Sequence, residues 1–161
     1  MTNRLAEQDE FALKWLLESD EPAIRHAVLV DLLDEQRESG HAKFVERQIA
    51  SGPKVTALLT GQQADGGFGV LAYSKWGGAH WRLMSLVDLN VPADDSRVHA
   101  AAETVWAWLN GDRHRNDTVV INGLARRHAS QEGNALTACC HCGMGSDPRV
   151  AHLAELLLDY Q

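Results

Sequence analysis

The sequence predicts an all-α chain built as an arc of helical hairpins, and three observations carry that expectation. Apolar residues recur at helical spacing, most clearly at Ile24, Val28, Leu29, Leu32 and Leu33. The helical stretches are parted by compact turn signals such as Ser51-Gly52-Pro53, Asn90-Val91-Pro92 and Gly143-Met144-Gly145. One helix start also recurs, as Glu21-Pro22-Ala23-Ile24-Arg25, Asp95-Ser96-Arg97-Val98 and Asp147-Pro148-Arg149-Val150. The last two starts lie 52 residues apart, and each unit of such a repeat buries its face only against its neighbours.

Taken in order, Phe11, Leu13, Trp15, Leu16 and Leu17 predict a short apolar helix that stops at Ser19-Asp20. Pro22 is tolerated in the first turn of the next helix. A more polar helix follows over His41–Ala50, and Gly52-Pro53 starts a short one leading to Gln62. Tyr73–Gly78 reads as irregular, and Trp81, Met84, Leu86, Val87 and Leu89 predict a helix after it. Asp95 is the expected N-cap of a helix running to Asn110-Gly111. Residues 112–131, polar and basic around the island Val119-Val120-Ile121, read as the one long loop, with the island either a strand or a helical turn. Gly133-Asn134 begins another helix, and Asp147-Pro148 the last, all within a single repeat domain over 1–161.

The run Gln62-Gln63-Ala64-Asp65-Gly66-Gly67-Phe68-Gly69 is the structural clasp on which this order hangs. Adjacent glycines cannot continue a helix, so the chain turns, with Gly67 expected at positive φ. Gln62 is placed to bond free backbone groups at a helix end, with Phe68 folding over it as a lid. A similar apolar end precedes Gln161, 99 residues after Gln62, so the repeat set reads as incomplete.

With 161 residues, 45% apolar content and a net charge of -7, the chain reads as globular. That charge argues against nucleic acid as partner, and no run is long enough to span a membrane. The N-terminus lacks a signal-peptide pattern, and the cysteines, bunched at Cys139, Cys140 and Cys142, form no disulfide framework. A cytoplasmic location is therefore expected, and no cofactor motif is present.

Gln62, Gly66 and Phe68 fit the Gln-x-x-x-Gly-x-aromatic core of the repeat of squalene and oxidosqualene cyclases, with relatives in protein prenyltransferase β subunits. Lys75-Trp76-Gly77-Gly78-Ala79-His80-Trp81-Arg82-Leu83 also resembles segments of bacterial proteins built from this repeat. So does Gly133 through Val150. The resemblance implies an α/α toroid around a central cavity, here an incomplete one. It also implies a module that binds an apolar, isoprenoid-like small molecule.

Candidate chemistry is sparse. Cys139 and Cys142 share a helix face, with His128 or His152 as further zinc ligands, but packing is the preferred role and no metal is expected. Asp94-Asp95 lacks the third acid of a cyclase motif, since Pro92 stands where it is needed, and no paired acids would hold magnesium. Phe68, Tyr73, Trp76, His80 and Trp81 are the candidate ligand-binding residues. Gln62, Asp65, Gly66 and Gly67 serve the turn, while Trp106 and Trp108 brace helices. Arg113, Arg115, Arg126 and Arg127 read as solvated loop residues.

The functional expectation is a non-catalytic module for a small apolar ligand or a protein partner. The alternatives are an enzyme on an isoprenoid or terpenoid substrate, using Asp65 or His80, and a HEAT-like scaffold. Apolar Phe11, Trp15, Leu156 and Leu157 near the two ends also suggest a homodimer.

Overall fold

The computed structural model describes residues 2–116, 119–126 and 128–159, with side chains from residue 9 on except those of Arg115, Ala125 and Arg126. The regular elements among the described residues are helices apart from one small hairpin. They form two compact units: one runs to Leu58 and takes in Leu89–Pro92, the other holds Leu59–Asp88 and the chain from Ala93. Gln161, Tyr160 and Arg127 lie outside the described residues.

In the first unit α1 spans Thr2–Leu17, so the helix reaches well before the apolar stretch that announced it. Phe11 and Trp15 on it are exposed. α2, Pro22–Ala27, starts with its proline in the first turn and passes into a π turn at Val28–Leu32. The amide of Leu33 closes that turn on the carbonyl of Val28 at 3.0 Å. α3, Gly40–Ile49, opens on Ser39, whose hydroxyl oxygen accepts the amide of Ala42 at 3.0 Å. It packs on α2 over a core of Ala23, Val28, Leu29, Ala42, Val45 and Ile49.

Glu21 differs from the other two repeat starts. It makes no side-chain cap to its own helix; instead its buried carboxylate accepts the amide of Lys54 at 2.8 Å, in the first turn of α4 (Pro53–Leu59). Gly52 keeps that carboxylate in place, because a Cβ there would stand 2.5 Å from its other oxygen.

In the second unit α5 (Ala79–Asp88) packs on α6 (Ser96–Leu109) and on α8 (Ala129–His141). α6 packs on α8 as well, and α9 (Pro148–Asp159) lies along α8. Leu83, Leu86, Val98, Ala102, Val105, Ala135, Ala138 and Leu153 form the core. The two caps are equivalent: Asp95 Oδ1 accepts the amide of Arg97 at 2.9 Å, and Asp147 Oδ1 that of Arg149 at 2.8 Å. Cys139 and Cys142 are buried in this core and Cys140 is exposed, all as free thiols. Among the described residues no group of three or more His, Cys, Asp or Glu is placed to hold a metal ion.

The backbone of the glycine turn differs from the expectation at Gly67. Positive φ falls at Gly66 (+80°) and Gly69 (+72°), not at Gly67, which donates its amide to Asp65 Oδ1 at 2.9 Å. Gly66 also sits against α6 so closely that a Cβ would be 2.1 Å from the carbonyl oxygen of Ala100. Phe68 is half-buried, and the guanidinium of Arg82 lies 4.2 Å over its ring.

The stretch 112–131 is not a loop. It holds α7 (Asp112–Asn116), an antiparallel hairpin of β1 (Val119–Ile121) and β2 (Leu124–Arg126), and the first turn of α8. The apolar island is therefore a strand. Asn122 and Gly123 both take positive φ, as a two-residue hairpin turn of this twist requires. α8 starts four residues earlier than Gly133 because the His128 carbonyl collects the amides of Gln131 and Glu132. No described helix is long and apolar enough to cross a membrane.

Candidate functional site

The second unit gathers an aromatic and imidazole cluster from four helices, α5 to α8, and the irregular segment before α5. Gly78 makes it possible: a Cβ there would meet the carbonyl oxygen of Ala72 at 2.3 Å, so only glycine lets the 71–78 segment press onto the start of α5. The amide of His80 then donates to the Ala72 carbonyl at 2.9 Å. Trp76 turns the segment at φ +59° and lays its ring 4.9 Å from Trp81, remaining mostly exposed itself.

Tyr73 is the centre. Its ring stacks on Trp108 of α6 at 5.2 Å with the planes 8° apart, and meets His80 edge-on at 5.0 Å and Trp81 at 5.5 Å. Trp108 in turn contacts His114 of α7 at 4.6 Å, and His114 contacts His128, the N-cap residue of α8, at 5.4 Å. Behind His114, the buried carboxylate of Glu132 lies 3.7 Å from its Nε2.

A cavity of about 230 Å³ opens on this cluster, lined by Leu71, Tyr73, Ser74, Trp108, Arg113, His114, His128 and Gln131. Its walls are two flat rings, two imidazoles, a guanidinium and neutral polar groups. Glu132 does not line it; that side chain faces a neighbouring cavity of about 190 Å³ with Asn110, Arg149 and His152. There Arg149 is already committed to the carboxylates of Glu103 and Asp147.

His80 lies behind Tyr73, 1% exposed, with Nε2 3.3 Å from the carbonyl of Gln131. That contact places the ring proton on Nε2. Burial pushes the imidazole pKa down, partly countered by the Gln131 carbonyl. His80 Nδ1 and Trp81 Nε1 are buried with no hydrogen-bond partner among the described residues. His80 therefore backs the cavity without lining it. Asp65, the other acid considered for catalysis, is an exposed turn residue bound to the amide of Gly67.

Of the expected ligand residues, Tyr73 lines the cavity, His80 and Trp81 back it, and Trp76 extends the ring contacts outward. Phe68 stands apart beneath Arg82. Sequence reasoning did not bring these lining residues together: it assigned Trp108 to helix bracing, left Arg113 as a solvated loop residue, gave His114 no role and considered His128 only as a zinc ligand. The Asn122-Gly123 pair was the available signal, since it marks a hairpin and hence an ordered excursion returning His128 beside His114. No known family, curated protein or solved structure matches this chain.

Proposed function

We propose that the chain is a helical-repeat module that binds a small molecule with a flat apolar body in the Tyr73–Trp108 cavity. The observation that carries this is the parallel stack of those two rings on the cavity wall, held from behind by His80 and Trp81. Flat rings preorganised in this way offer large contact area at little entropic cost. The relation to the cyclase and prenyltransferase repeat belongs to this proposal and rests on the Gln62, Gly66 and Phe68 pattern and the segments Lys75–Leu83 and Gly133–Val150. The cavity, at about 230 Å³, lies below the roughly 300–1,000 Å³ of sites for drug-sized ligands, which favours a compact ring system over a long isoprenoid chain.

A fluorescence titration tests the reading. A compact aromatic compound should change tryptophan emission saturably, and Trp108→Ala should abolish the change while Trp76→Ala weakens it little. Saturation by farnesyl diphosphate and by no compact ring would replace this reading with the isoprenoid one.

A second, enzymatic reading is favoured by one observation. Ser74 and His114 line the same cavity, and the Glu132 carboxylate sits behind the imidazole at 3.7 Å, an order of groups suited to hydroxyl activation. Labelling of Ser74 by a fluorophosphonate probe, lost in His114→Gln, would favour the enzyme; an unlabelled Ser74 favours the binding module.

A further inference from the structure

We infer that the ligand of this cavity is a small planar organic anion, an aromatic or ring-bearing monocarboxylate, with its ring against Tyr73 and Trp108 and its charged group toward Arg113 and His128. The inference rests on the binding reading above and adds the charge and orientation of what is bound.

Three features point the same way. First, the lining is polarised in type. Tyr73, Trp108 and Leu71 supply apolar and ring surface, while Arg113, His114 and His128 supply every ionisable side chain on the wall apart from the tyrosine. No carboxylate lines it among the described residues, although Asp and Glu outnumber Lys and Arg by 22 to 15 in the chain. Among the described residues Arg113 is thus the one permanently charged side chain on the wall, and its charge favours an anion.

Second, the acid against His114 does not line the cavity. Glu132 contacts His114 from behind and opens on the neighbouring cavity, so it orients the imidazole without placing negative charge where a ligand would sit.

Third, the cavity abuts the start of α8, a helix of 13 residues, through its N-cap His128 and its third residue Gln131. The Gln131 amide is itself taken by the His128 carbonyl, so what this helix end adds to the side chains is the positive end of its dipole. A planar carboxylate suits the fork of Arg113 in shape as well as charge. An ammonium ligand would find rings here, but with a guanidinium on the rim and no counter-charge on the wall.

The test uses three probes of nearly one shape: benzoate, benzamide and benzylamine, followed by calorimetric titration and saturation-transfer NMR at low salt. Benzoate should bind at least about ten-fold more tightly than benzamide, and benzylamine least of all. Arg113→Gln should remove most of the advantage of benzoate and leave benzamide unchanged, whereas Trp108→Ala should weaken both. Equal binding of benzoate and benzamide, preference for benzylamine, or an equal effect of Arg113→Gln on both would overturn the anion inference and leave the ligand-binding reading standing. Binding of none of the three at about 10 mM, with helical circular dichroism intact, would overturn both.

Discussion

The side-chain amide of Gln62 donates to the carbonyl oxygen of Arg97 at 2.8 Å, joining the glycine turn to the first turn of α6 across 35 residues of chain. The same amide also reaches the carbonyl of Gly66 at 3.2 Å, inside its own turn. One side chain thus closes the turn and anchors it to a helix. Gln62→Ala leaves both carbonyls to water or to nothing and is expected to cost about 1–2 kcal/mol. Urea unfolding measures this directly, and an unchanged midpoint would show that the anchor carries no stability.

The neighbouring glycines should respond very differently. Gly66 has φ +80° and the Ala100 carbonyl 2.1 Å from where a Cβ would be, so Gly66→Ala must strain the backbone and push α6 away. A loss of more than about 2 kcal/mol is expected. Gly67 has ordinary φ, and its nearest obstacle is an exposed side chain, Asp65 Oδ1 at 3.2 Å. Gly67→Ala should cost less than about 1 kcal/mol. Thermal melts of the pair check the contrast; similar losses at the two positions would refute it.

His80 makes stability depend on pH. Burial lowers its folded pKa below the usual 6.5, so between that folded value and 6.5 the unfolded chain holds a proton that the folded chain does not. Its contribution is therefore fully present above pH 6.5 and is lost as pH falls below it. The melting temperature of the native chain should drop between pH 7 and pH 5, and His80→Gln should flatten the slope while lowering stability at pH 7. An unaltered slope in the variant would assign the effect to other histidines.

The thiols should divide one against two. Burial, with the neighbouring Cys142 adding to it, pushes Cys139 up to about 12, and burial also raises Cys142, whereas Cys140 is exposed. Native protein treated with a thiol-reactive disulfide reagent near pH 8 should yield one fast equivalent, at Cys140, and the remaining two only after unfolding. Fast reaction of all three would mean that the end of α8 opens easily.

How much of this was legible beforehand depended on how local the cause was. Helix starts that rest on a cap two residues away, Asp95 to Arg97 and Asp147 to Arg149, could be read from the sequence, because their partners are sequence neighbours. The clasp at Gln62–Gly69 and the burial of Cys139 and Cys142 were legible for a similar reason: glycine pairs and small apolar residues carry their conformational and packing preferences with them.

What only the tertiary structure decided is who meets whom. Nothing local distinguishes Gly66 from Gly67; the backbone of α6 at Ala100 does. Glu21 looks like the other repeat starts, yet its carboxylate serves a different helix. The cavity is the fullest case. Tyr73, Trp108, His114 and His128 come from an irregular segment, α6, α7 and the start of α8. Single-residue preferences say nothing of pairing across such distances. Helical periodicity marks Trp108 as a core residue, but only the packing of α5, α6 and α8 sets its ring between Tyr73 and His114.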